Sequence, residues 1–157
     1  MKNTLIYVVE DNVMYANLVR NTLESKGYRN IQMFETKEEL LDTLYKNPSI
    51  VILDYHLNKE NGIDILKEIK SVNPNIEVIF LSGQQDMTVA INALKYGAFE
   101  YIEKNDDAFL KLETVLVKLE RFRSAIEEKE QNIKRKRILV FVLIILVSIL
   151  TVINLIY

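Results

Sequence analysis

Five short strand-like runs, each followed by a segment of helical periodicity, constrain this chain more than any other feature of it. Leu5–Val9 and Ile50–Leu53 are continuous apolar stretches, and Ile76–Leu81 is one apart from Glu77, the pattern of strands buried on both faces of a parallel sheet. Ile31–Phe34 alternates weakly and reads as an edge or near-edge strand, and Glu100–Lys104 as a short last one. Between them come the helices. Val13, Ala16, Leu18, Val19 and Leu23 recur at helical spacing before Lys26-Gly27, where glycine suits a left-handed cap. Thr36 with Glu39 forms a capping box ahead of Leu40, Leu41 and Leu44. A third helix starts at Gly62, carries Ile63, Leu66 and Ile69, and stops at Asn73-Pro74. The fourth, from about Asp86 to Tyr96, buries Val89, Ala90, Ala93 and Leu94 and ends at Gly97. A longer helical pattern begins near Asp106. Strict alternation with right-handed crossovers predicts an α/β fold, a doubly wound five-stranded parallel sheet.

In such a sheet the ligand site lies beyond the carboxyl ends of the strands. Those ends supply Glu10 and Asp11, Asp54, Ser82 and Lys104, so residues far apart in sequence converge on one crevice. Three carboxylates together repel one another and ask for a hard cation with oxygen ligands, for which Mg²⁺ is suited. A hydroxyl and an ammonium beside it suit an anion with several oxygens, of which phosphoryl is the obvious one. The central carboxylate, Asp54, can then act as a nucleophile and form an acyl phosphate.

Composition narrows the alternatives. The chain has no cysteine, which removes disulfides, thiolate metal sites and cysteine nucleophiles. Its net charge of −2 is unevenly distributed: residues 1–133 carry 16 Lys/Arg against 22 Asp/Glu, whereas 134–157 carry four basic side chains and no acid. An acidic body is a poor partner for nucleic acid, and no signal peptide is expected ahead of the first strand.

The residues at the strand ends resemble those of the receiver domain of bacterial two-component response regulators, over roughly residues 3–124. The matching positions are the acidic pair Glu10-Asp11, Asp54 with Gly62 eight residues later, Ser82-Gly83, Gly97-Ala98, and Tyr101-Ile102 with Lys104. The resemblance implies a flavodoxin-like strand order 2-1-3-4-5. It further implies that Asp54 accepts a phosphoryl group from a phosphohistidine or a small donor. Glu10, Asp11, Asp54 and the backbone carbonyl of His56 would hold Mg²⁺, Lys104 would pair with phosphoryl oxygens, and Ser82 would hydrogen-bond one of them. Ser82 and Tyr101 would form the switch, with Tyr101 turning inward as Ser82 is drawn toward the phosphoryl group. That switch biases a face made of the fourth helix, fifth strand and fifth helix, where a protein partner would dock. Lys104 precedes Asn105 where the family usually has proline, so a trans peptide is expected there. Asn58 also stands where proline is common. Both departures are expected to leave the chemistry unchanged.

The last helix runs past the normal length of a receiver. Leu112, Leu119, Ile126 and Ile133 recur every seven residues, with Val115 and Phe122 between them, but Lys129 and Lys136 interrupt the seam. A parallel homodimer and a solvated monomeric helix are both compatible with this pattern. Residues 125–137 read as a charged stalk ending in the basic collar Lys134-Arg135-Lys136-Arg137. Of the 20 residues from 138 to 157, 16 are Ile, Leu, Val or Phe and none is charged. As a helix they span ~30 Å, a bilayer core, so a C-terminal transmembrane helix is expected. The collar would place the receiver in the cytoplasm by the positive-inside rule.

The sequence thus predicts a phospho-accepting receiver at residues 1–124, a stalk at 125–137 and a membrane anchor at 138–157. Its output is expected through protein contacts rather than DNA, with a histidine kinase or phosphotransfer protein as donor and no enzymatic turnover beyond self-phosphorylation and self-dephosphorylation. Two rivals remain. A degenerate receiver could serve only as a membrane-bound scaffold, and a phosphohydrolase could also use an Asp nucleophile. Hydrolases of that type generally place a second acid two residues on, where this chain has His56.

Overall fold

The computed structural model describes residues 4–83 and 86–156, the side chains of Lys59 and of residues 146–156 lying outside that description. Its strands are β1 (Ile6–Val9), β2 (Ile31–Phe34), β3 (Ile50–Asp54), β4 (Glu77–Ser82) and β5 (Glu100–Glu103). They pair in parallel in the order β2-β1-β3-β4-β5, the flavodoxin-like order. The helices are α1 (Val13–Ser25), α2 (Lys37–Thr43), α3 (Gly62–Val72), α4 (Met87–Lys95) and α5 (Ala108–Ile156), with short 3-10 turns at Leu44–Lys46 and Leu57–Lys59.

Alternation along the strands distributes the core between the two faces. Tyr7, Val9, Val51, Leu53, Val78 and Phe80 pack with Leu40 and Leu44 after β2, with Ile65, Leu66 and Ile69 of α3, and with Ala93 of α4. Ile6, Val8, Ile50, Ile52, Ile79 and Leu81 are the alternate, equally buried positions. Val19 and Leu23 of α1 and Leu112 of α5 are buried as well. The Tyr15 and Phe109 rings lie 5.4 Å apart and Lys26 Nζ lies 2.7 Å from Glu113 Oε2, joining α1 to the first turns of α5.

Local chemistry sets the helix starts. Asn12, Thr36, Asn61 and Asp86 each cap a helix by accepting a backbone N–H with the side chain. The predicted box at Thr36 forms with a shift of one residue: Thr36 Oγ1 accepts from Glu39 N, and Glu39 Oε2 accepts from Glu35 N. Gly27 takes φ +87° after α1, as its capping position requires.

The chain divides into two compact units, Met1–Val115 and Leu116–Tyr157. The first holds the sheet. The second is the continuation of α5, helical to Ile156, and its side chains from Ile138 to Ile145 are exposed.

The membrane placement expected from 138–157 is corrected here. Among the described residues no helix is long and apolar enough to cross a membrane. The side chains of 146–156, and Tyr157 altogether, lie outside the described residues. The single-pass location and the cytoplasmic orientation drawn from it go with the anchor.

Candidate functional site

Each site residue sits where a buried strand runs out of partners. β3 is buried along its whole length and ends on Asp54, itself only 7% exposed. Beside it β1 ends at Val9, and Glu10 follows, buried, its N–H donating to the Phe34 carbonyl. Asp11 is the next residue and is exposed. One carboxylate oxygen from each of Glu10, Asp11 and Asp54 lies within 4.8 Å of the others.

Lys104 arrives from the opposite side. Its backbone N–H donates to the Ser82 carbonyl at 2.6 Å, tying the ends of β4 and β5 together. Its ammonium lies 2.7 Å from Glu10 Oε2 and 2.9 Å from Asp54 Oδ2. The other Asp54 oxygen, Oδ1, accepts the His56 N–H at 3.2 Å. Burial pushes the Glu10 carboxyl above its ordinary range; the hydrogen bond from Lys104 opposes this, and the charge of Asp54 adds to it. Desolvation is the largest cause because Glu10 is buried at the end of β1.

These donors fit a hard divalent cation. All three are carboxylates, and no sulfur or imidazole lies among them. Receiver domains bind Mg²⁺ at an acidic pocket of this kind.

Ser82 is fully buried at the end of β4. Tyr101, on β5, is half-buried. Its phenol is pushed up by burial, and a hydrogen bond with Ser82 draws it back down. The Tyr101 ring centroid is 6.3 Å from both Tyr55 and Phe80, so ring and hydroxyl face the Ser82 side of the sheet. The His56 side chain is exposed, its ring 4.8 Å from that of Tyr55. Gly62 is required by close approach: a Cβ there would stand 2.8 Å from both Phe80 Cε1 and the Tyr55 carbonyl. Tyr55 O also accepts the Gly62 N–H, which closes the loop after Asp54.

Two residues are nearer the site than the sequence indicated. Asn58 takes φ +49°, ψ +36°, a conformation closed to proline. Its backbone N–H donates to Asp11 Oδ2 at 3.2 Å and its side-chain amide to the Glu35 carbonyl at 2.8 Å. Asparagine in place of proline therefore adds a hydrogen bond to one of the three acids, a contact proline could not make. The signal was the departure from proline itself. Tyr15 is the other: the Lys104 ammonium stands 4.6 Å from its ring centroid. Its place one helical turn after Asp11 was the only hint. The Lys104–Asn105 peptide is trans, as expected, there being no cis bond among the described residues.

A parallel sheet of this order with three acids and a lysine at its carboxyl edge defines a class, and comparison with known proteins agrees with it. The chain belongs to the response regulator receiver domain family, whose model matches residues 6–113. The transcriptional regulatory protein ZraR of Klebsiella oxytoca is 32% identical over 111 residues, covering 71% of this chain and 25% of that protein. This chain thus spans a quarter of that relative's length. Among solved structures, a CheY-like receiver domain protein of Methanospirillum hungatei JF-1 superposes with a TM-score of 0.68 at 22% identity, over 79% of this chain and 99% of that one. The beryllofluoride-activated NtrC4 receiver domain, a dimer, gives 0.67 at 24% identity, over 74% of this chain and 97% of the other. These two likenesses are of fold.

Proposed function

We propose that this receiver takes a phosphoryl group on Asp54 and signals through the state of that residue. The supporting observation is the pocket itself, in which three carboxylates converge within 4.8 Å and one ammonium contacts two of them. An Asp54 oxygen attacks phosphorus, and the bond from phosphorus to the donor breaks. The donor is a phosphohistidine of a histidine kinase or phosphotransfer protein, or a small phosphodonor. Glu10, Asp11, Asp54 and the His56 carbonyl would hold Mg²⁺, which when bound neutralises charge on the phosphoryl oxygens. Lys104 pairs with those oxygens and the Ser82 hydroxyl hydrogen-bonds one of them. Tyr101 reports the change through its contact with Ser82, and a protein partner reads it on α4, β5 and the first turns of α5. A second copy of the chain is one candidate partner, as in the NtrC4 receiver. The chain acts as an acceptor that loads and unloads itself, not as a turnover enzyme. Output through protein contact fits the acidic body better than output through DNA.

The test is intact mass of the chain with acetyl phosphate, with and without Mg²⁺, beside Asp54→Asn. One metal-dependent phosphoryl adduct, absent from the variant, is expected. Absence of any adduct would favour a scaffold, and continuous phosphate release over many turnovers a hydrolase.

A further inference from the structure

Among the described residues, Lys104 is the cation shared by Glu10 and Asp54, so whatever fixes its ammonium fixes the electrostatics of the pocket. Two N–H vectors of an ammonium can serve these acids, and the rest of its surface must meet either water or protein. Here it meets the Tyr15 ring face, 4.6 Å from ammonium to centroid, within the range of attraction between a cation and an aromatic quadrupole. The residue is anchored at both ends. Its backbone N–H donates to the capping Asn12 side chain at 3.1 Å, next to Asp11, and its ring packs on the Phe109 ring, centroids 5.4 Å apart. The Tyr15 hydroxyl is buried and, among the described residues, has no hydrogen-bond partner. A buried hydroxyl without a partner does not explain the residue at this place. An aromatic face toward the ammonium does.

We propose that Tyr15 is a positioning residue for phosphoryl transfer, its ring face holding the Lys104 ammonium over Asp54 in a water-poor setting. The ring leaves Lys104 one compact orientation toward the oxygen where negative charge develops as the phosphoryl group arrives, and it does so without touching the reacting atoms. Burial and the two nearby carboxylates push the Tyr15 phenol to about 12, so it stays neutral and its face keeps the quadrupole at all ordinary pH. The contribution of Tyr15 to phosphoryl gain rests on the acceptor reading above; the ring–ammonium contact does not.

The experiment uses the full chain with Tyr15→Phe, Tyr15→Leu, and a fluorinated series in which the phenylalanine of Tyr15→Phe carries one, two or three ring fluorines. Fluorination drains the ring face while keeping its shape, so it remains informative if Tyr15→Leu does not fold. Two quantities are read: the initial rate of phosphoryl gain from acetyl phosphate in Mg²⁺, by intact mass, and the ring-current shift of the Lys104 Cε protons, by NMR. Tyr15→Phe should match wild type within about twofold and keep the shift. Tyr15→Leu should be about fivefold slower and lose it, and the rate should fall stepwise with each fluorine. Equal rates across the series would overturn the inference while leaving the acceptor reading intact. Tyr15→Phe as slow as Tyr15→Leu would overturn it in favour of the hydroxyl. A wild-type chain that takes no phosphoryl group would defeat the acceptor reading, and the proposal with it, even where the Cε shift still showed the ring on Lys104.

Discussion

β3 ends on a residue of the site, Asp54, and β5 leads directly into another, Lys104, yet the two strands are built differently. β3 lies between two neighbours and is buried at all five positions, up to and including Asp54. β5 is the sheet edge, with one neighbour and only Ile102 buried among its four residues. The acid therefore stands on a strand that cannot shift without disrupting the core. Tyr101 stands on an edge strand, held by one neighbour instead of two, and Lys104 follows directly after it. How firmly each of these residues is held is a property of its place in the sheet before it is a property of residue type.

The sharpest way to break this comparison is to remove the same amount of apolar side chain from each strand. Leu53→Ala should cost ~2–5 kcal/mol, and Ile102→Ala should fall at the lower end of that range or below because the edge can collapse around the gap. Urea melts of the two variants check this, and equal losses would sink the distinction. Asn58→Pro comes next. It removes the N–H that binds Asp11 and imposes a φ the loop does not have, so a loss of more than ~1 kcal/mol is expected, together with weaker Mg²⁺ binding, by the same melts and by fluorescence titration. Smaller again is Tyr15→Phe, which deletes a buried unpaired hydroxyl and should raise stability by ~1 kcal/mol in thermal melts.

The smallest effect concerns charge at the end of β1. The Glu10 carboxyl has a raised pKa in the folded chain, so the fold binds its proton more readily than the unfolded chain does. The stability linked to this group is full below the unfolded carboxylate pKa, ~4.3, and is lost as pH rises through the folded one. Glu10→Gln should therefore melt slightly higher than wild type at neutral pH without divalent cations. The gap should close as pH falls toward ~4.3, and Mg²⁺ should raise the wild-type midpoint more than that of the variant. A gap that widens on acidification would reverse the assignment of desolvation as the dominant cause.

Much of this molecule was legible in its residues. Apolar runs at Leu5–Val9 and Ile50–Leu53, and at Ile76–Leu81 apart from Glu77, are at home inside a covered parallel sheet, and Thr36 with Glu39 marks the start of a helix. Since all strands of such a sheet point the same way, Glu10, Asp11, Asp54, Ser82 and Lys104 had to gather at one edge. The apolar stretch 138–157 was legible only as composition, and composition does not establish a crossing. Among the described residues no helix meets that requirement.

What the residues determined by themselves, then, is periodicity: which segments are strands, which are helices, and which end of each strand carries polar chemistry. That information is local, written in spacings of two and three to four residues. Tertiary structure alone decided that Lys104 reaches Glu10 and Asp54 together, that Asn58 turns its N–H to Asp11, and that Tyr15 closes over the ammonium. Asp11 and Asn58 are 47 residues apart and Glu10 and Lys104 are 94 apart. Contacts over such separations depend on how loops close over the ends of a packed sheet, and no pattern of neighbours along the chain encodes them.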